Sequence, residues 1–201
     1  MYHCSSGKDN FNEVEPSAID FDWTLPIGTV LGSFNLFPLA ENTVLTKASE
    51  VNFISDNSIV TLVGLKNEVR VSPYRFISTF ECVNDIIDGK NITLSYCPLT
   101  QSAVGWYTNF KDETLILRSS GYLHHDNLIA YDEKSETYWS QMLSKSVKGK
   151  YENEALPTFN VIETTWSMVS QYFPDAMILP KLKKSFLHLV LVLVYSQKQV
   201  C

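Results

Sequence analysis

The groups in this chain best suited to chemistry gather in one stretch, Leu94-Ser95-Tyr96-Cys97-Pro98-Leu99-Thr100-Gln101-Ser102. A thiolate is a nucleophile or a soft metal ligand when its pKa is lowered and it can be reached. The apolar, β-prone run Ile92 to Tyr96 predicts a strand that delivers Cys97 at its end. Pro98 cannot donate a ladder hydrogen bond, so the strand stops or meets an edge there. Thr100, Gln101 and Ser102 follow at once, which would offer a thiol, hydroxyls and an amide from one strand end. The competing reading of Cys97 is a buried structural thiol, since free cysteine is among the most buried residue types.

A second set of polar groups comes later: Ser120, Gly121, Asp126, Asn127, Asp132, Ser140, Gln141, Glu163, Thr164 and Thr165. Several end or follow predicted strands. Beside Trp106, Trp139 and Trp166 they have the chemistry of a small-molecule pocket. Each also has a structural use taken singly: Asp132 and Asn127 fix turns, Thr164 caps a helix, and the tryptophans fill the core. His124 and His125, with Asp126, carry metal-ligating atoms, but adjacent histidines point in different directions and read as turn residues. A nucleophilic Cys97 would need a base within reach, and no other histidine lies in the central region.

These groups need strands to position them. Asp56-Asn57-Ser58 is a turn cluster. Ile59 to Leu65 and Glu68 to Val71 read as a hairpin across Lys66-Asn67. Ser72-Pro73 predicts a helix start, with Tyr74, Ile77, Phe80 and Val83 on its apolar face and Asn84-Asp85 at its end. Asp88-Gly89 turns into the Cys97 strand. Ala103 to Tyr107 and Thr114 to Leu117 predict a second hairpin across Lys111-Asp112-Glu113. Strands at Leu128–Tyr131 and Thr137–Ser140 follow, joined by the polar turn Asp132 to Ser135. Lys145 to Glu154 reads as solvated loop. A short helix through Trp166, Val169 and Tyr172 is stopped by Pro174, and Met177 to Leu179 is a late strand. The pattern predicts an α+β fold: a mainly antiparallel sheet of many short strands with two or three short helices.

At 201 residues the chain can bury a proper core. Residues 1–20 read as a disordered or tether-like lead, 21–50 as an irregular packing segment, 51–184 as one globular domain and 185–201 as an atypical tail. A net charge of −6 argues against a nucleic-acid partner, which needs a basic face. Cys4, Cys82, Cys97 and Cys201 form no Cys-x-x-Cys pair and no disulfide framework, although Cys82 and Cys97 would bridge if a helix end met the neighbouring strand. No stretch reaches the roughly 18 apolar residues of a transmembrane span. No apolar signal segment opens the chain. Glycine-rich phosphate loops, G-x-S-x-G and H-E-x-x-H are absent.

Tyr96-Cys97-Pro98-Leu99-Thr100, then Ser120-Gly121-Tyr122-Leu123, Tyr131-Asp132, Trp139-Ser140-Gln141 and Glu163-Thr164-Thr165-Trp166, occur in the order of a prokaryotic family, domain of unknown function 3179. The chain resembles that family from Asp56 to Leu179. The resemblance implies a polar rim at Cys97, Thr100, Ser120, Gly121, Asn127, Asp132, Trp139, Ser140, Gln141, Glu163, Thr164 and Trp166, but brings no settled activity or cofactor. It implies an extracytoplasmic place, periplasmic or lipid-anchored, since members are often exported. Cys4-Ser5-Ser6-Gly7 resembles the mature start of a lipoprotein, though His3 is unlike a lipobox. Relatives carry Gly where Gln101 stands and often His-Glu where this chain has Phe80-Glu81. After Lys184 they continue with Thr-Gly, Arg and Tyr-Pro-Tyr, so the tail reads as frameshifted or truncated. Three functions remain open. One is a binding or accessory domain for a small molecule or metal ion. Another is a thiol enzyme, with Cys97 as nucleophile or redox centre and Asp132, Ser140 or Glu163 as helpers. The third is a purely structural interaction domain.

Overall fold

The computed structural model describes residues 23–179 apart from Ile27 and Asn42. The lead 1–20, including Cys4 with its expected lipid anchor, and the tail 185–201 lie outside the described residues. Within them, seventeen short strands, two short α-helices and one 3-10 turn build three five-stranded sheets and a small two-stranded one. The β-rich character with little helix is as the sequence predicts.

The first sheet grows from the hairpin Ile59–Leu65 and Glu68–Pro73. Ile162–Thr165 lies along its outer edge, while Met177–Ile178 runs parallel to the second strand with Thr46–Lys47 beyond. The second sheet is the meander Cys82–Ile87, Lys90–Cys97 and Ser102–Tyr107. The third is the meander Leu117–His124, Asn127–Asp132, Thr137–Ser140 and Lys145–Lys148. Two straps then tie the sheets together. Val30–Gly32, Ala40–Glu41 and Thr46–Lys47 each add an edge strand, to the third, second and first sheet in turn. On the opposite edges, Thr158–Phe159 joins the second sheet and Ile162–Thr165 the first.

Strand alternation decides what each face of the middle sheet buries. Val83, Ile87, Ile92, Leu94 and Tyr96 point one way, into a core shared with Val63, Phe76, Ile77 and Phe80. The other face sends Asn84, Thr93, Ser95 and Cys97 toward the third sheet, where Trp106, Leu117, Leu128 and Trp139 pack. That second face is polar for a buried one, and the candidate site follows from this. The helix Trp166–Tyr172 covers the first sheet with Trp166 and Val169 against Val60, Leu62 and Val71.

Four expectations are corrected. Ser72-Pro73 ends a strand rather than starting a long helix, because Thr61 and Val60 pair with both residues. The helix there is only Tyr74–Ile77. Asn84-Asp85 sits inside the strand Cys82–Ile87 for the same reason, its ladder with Lys90–Cys97 outweighing helical spacing. Ser102–Tyr107 pairs with the Cys97 strand, not with 114–117; the chain makes a two-residue hairpin, Asn109–Phe110 with Glu113–Thr114, and departs to the third sheet. Lys145–Lys148 is a strand, not solvated loop: its lysines mask the buried pair Ser146 and Val147. Cys82 and Cys97 are both buried free thiols with no bridge between them.

Candidate functional site

The strand Lys90–Cys97 ends at the cysteine, as Pro98 requires, and a tight turn brings the chain back at Ser102 opposite Cys97. The turn closes through Gln101 at φ +49°. Only a residue tolerating the left-handed region fits there, which is why Gly suits the position. Cys97 is 1% exposed, packed among Trp106, Leu117 and Leu128, and its thiol donates to the Asp126 carbonyl at 3.5 Å. No histidine side chain bonds it. His124 and His125 flank a tight turn, His125 and Asp126 both having positive φ, and their rings lie 4.6 Å apart. Burial, then the charge of His125, lowers the pKa of His124.

Next to Cys97, four of the expected groups do meet. Gln141, fully buried, donates from Nε2 to Ser95 Oγ at 3.1 Å and to the Ser102 carbonyl at 3.2 Å. Its Oε1 accepts from Ser102 Oγ at 3.1 Å and from Asn127 Nδ2 at 2.7 Å. Asn127 Nδ2 also reaches Thr100 Oγ1 at 3.0 Å, and its Oδ1 accepts from the Met142 amide at 3.2 Å. Every polar atom of both amides is used, so the network stitches the second sheet to the third and leaves nothing to offer a ligand.

The remaining expected residues scatter. Ser120 Oγ donates to the Ile129 carbonyl at 2.6 Å and accepts from the Tyr122 amide. Gly121, at φ +82°, lets the N-terminal strap pass: a Cβ there would stand 2.5 Å from the Ser33 carbonyl oxygen. Asp132 holds its own turn, accepting from the Ile116 and Ser135 amides and the Ser135 hydroxyl. Trp139 and Ser140 are interior, with the indole N–H and the hydroxyl both unpaired. Trp166 is core beneath its helix, and Thr165 occupies that helix's N-cap position without making a side-chain cap bond.

Glu163 and Thr164 instead lead to a groove on the other side of the Cys97–Gln101 turn. Two adjoining hollows of ≈ 430 Å³ and ≈ 410 Å³ share Ile59, Tyr74 and Gln101 as lining. Glu163, Thr164 and Met168 close one end, and Phe53, Arg75 and Tyr96 the other. Tyr74 and Tyr96 stack with ring centroids 4.2 Å apart. Tyr74 Oη is buried yet has no hydrogen-bond partner. Its phenol is pushed up by burial and then by the neighbouring Glu163 carboxylate. Tyr96 is raised for the same two reasons in the same order. Both phenols therefore stay protonated at neutral pH and can donate. Arg75 and Gln101 have no side-chain hydrogen bond or ion pair among the described residues. By contrast, a pit beside Asn84 and Asn91 holds only ≈ 40 Å³, room for water rather than a metabolite.

Tyr74, Tyr96, Arg75 and Phe53 were missed as site residues. Tyr74 and Phe53 lie outside the polar motifs, and Tyr96 inside one looks like a core residue. Nothing local marks an unpaired hydroxyl. Among the described residues, no group of three His, Cys, Asp or Glu side chains could hold a metal ion, and no helix is long and apolar enough to cross a membrane.

The family described as Protein of unknown function (DUF3179) matches residues 35–187, and the chain belongs to it. No curated protein and no solved structure matches the chain.

Proposed function

We propose that this family member is a small-ligand binding or accessory domain of the extracytoplasmic space. Its ligand seat is the groove between the Ile59–Thr165 edge of the first sheet and the Cys97–Gln101 turn. One observation carries the reading: the Tyr74 hydroxyl is buried and unpartnered, and Tyr74 itself lines a hollow of metabolite size. A buried donor left unmade costs about 1–3 kcal/mol, and unlike Trp139 and Ser140, whose unpaired groups are sealed in the interior, Tyr74 lines a hollow. Glu163, Thr164 and the turn carrying Thr100 tie this seat to the family motifs, and frequent export among members supports the location. This seat differs from the rim first expected around Cys97 and shares with it Glu163, Thr164 and the turn that carries Gln101.

A thermal-shift screen of the purified chain against metabolites and metal salts tests this. A hit should raise Tm in the parent and lose most of that shift in Tyr74→Phe, which removes only the hydroxyl. Hits that shift both proteins equally would place the ligand elsewhere. A second reading, a structural interaction domain, is favoured by the closed Asn127–Gln141 network and by Leu99 and Met142, 67% and 63% exposed at neighbouring loop tips. A chain that binds nothing in the screen but co-purifies with a partner through those tips would support it.

A further inference from the structure

We infer that the groove takes a neutral pyranose-type sugar, a step that rests on the groove being the ligand seat. A ligand class can be read from what the walls offer. Glu163 can only accept and Arg75 can only donate, while Tyr74 Oη, the Gln101 amide and Thr164 can do both. Carboxylate and guanidinium line the two adjoining hollows, one each, without pairing with each other. A simple anion meets Arg75 but is opposed by Glu163. A simple cation meets the reverse. A ligand whose groups both donate and accept, and which carries no net charge, satisfies all of them. Hydroxyls do this.

The apolar lining supplies the second half of the match. Phe53 is 48% exposed and braced against Phe76 with ring centroids 6.2 Å apart. Tyr74, stacked on Tyr96, lines both hollows between the Phe53 and Glu163 ends. A pyranose has a C–H face that is apolar and a rim of hydroxyls around it. Its face lies on aromatic rings, which carry negative π-faces toward the weakly positive C–H groups, while its rim meets the polar groups.

The test is calorimetric titration of the full chain with neutral hexoses, N-acetylhexosamines and their disaccharides, beside glucosamine and a hexuronate as charged controls. At least one neutral sugar should bind saturably, with affinity changing less than about twofold between roughly 0.05 and 0.5 M salt, since no net charge is neutralised. Glu163→Gln and Phe53→Leu should each weaken it about tenfold or more, the loss of one good hydrogen bond or stacking face. Circular dichroism confirms that both variants fold, and Met142→Ala, outside the groove, should leave binding unchanged. Binding by charged sugars alone, weakening with salt, would overturn the sugar class as neutral and leave the groove standing. The same holds if only a non-sugar metabolite binds and Tyr74→Phe abolishes it. If no small molecule binds in a Tyr74-dependent way, the inference and the groove reading fall together.

Discussion

Glu81 is a glutamate in the left-handed region, φ +59°, with its carboxylate mostly withdrawn from water. Burial pushes it up from 4.5 to about 7, and the Ser119 hydroxyl offsets part of that. The folded state therefore holds the proton more tightly than the unfolded chain does. Stability from this group is fully present below pH 4.5 and is lost as pH rises through about 7, at a cost of up to about 3 kcal/mol. Glu81→Gln should flatten urea stability between those limits and exceed the parent above pH 7. An unchanged slope would show the carboxylate to be solvated. The neighbouring Cys82 thiol is raised by burial and then by Glu81, so it is inert at neutral pH. Cys97 is shielded sterically, at 1% exposure. Both thiols should label with a maleimide reagent no faster than the protein unfolds. Rapid labelling of Cys97 in native buffer would revive the thiol-enzyme reading.

At the scale of elements, the Cys97–Gln101 turn is where sequence pattern and conformation meet. Gln101 holds φ +49°, a conformation that disfavours a side chain. Gln101→Gly should stabilise the fold by about 1 kcal/mol by relieving that strain, partly offset by a freer unfolded chain. If the groove reading holds, it should also weaken ligand binding. Denaturant melts and titration separate the two effects. The same comparison shows what was legible beforehand. The hairpin 59–71 could be read because its alternation and turn residues agree. So could the strands about Asp132, and the helix before Pro174. The strand at 145–148 could not, because Lys145 and Lys148 sit at its ends and hide a buried pair. Ser72-Pro73 signalled a helix that lost to cross-strand pairing with Val60 and Thr61. Of the residues expected on one rim, the fold joins Asn127, Gln141 and Thr100 beside Cys97 and sets Glu163 with Thr164 at a separate groove. What no pattern carries is which network is already satisfied and which wall still lacks a partner. That depends on residues such as Tyr74 and Glu163, 89 positions apart, meeting beside one sheet.

For the whole molecule, stability comes from tying three small sheets together rather than from one large core. The Gln141–Asn127–Ser102 network joins the second sheet to the third from inside. Gln141→Ala strands several buried partners at once and should cost about 2–4 kcal/mol in chemical denaturation. The straps join all three from outside. Gly121→Ala drives a Cβ into the Ser33 carbonyl and strains a positive φ, so it should release the N-terminal strap from the third sheet, costing more than about 2 kcal/mol and exposing Val30–Gly32 to hydrogen exchange. Loss of exchange protection spread evenly over all three sheets would contradict the picture of separable units held by straps. Ligand binding belongs to this scale as well, since the groove is walled by the first sheet and by the turn of the second. A bound molecule would tie those two sheets as Gln141 ties the other two.

The most direct test of that central claim is backbone-amide chemical-shift mapping of the full chain against a mixed metabolite library that includes neutral sugars. Binding should move the amides of Phe53, Tyr74, Tyr96, Gln101 and Glu163 together and saturably, and leave Asn127 and Gln141 in place. Shifts centred on Asn127, Gln141 and Cys97, with the Tyr74 groove silent, would contradict it.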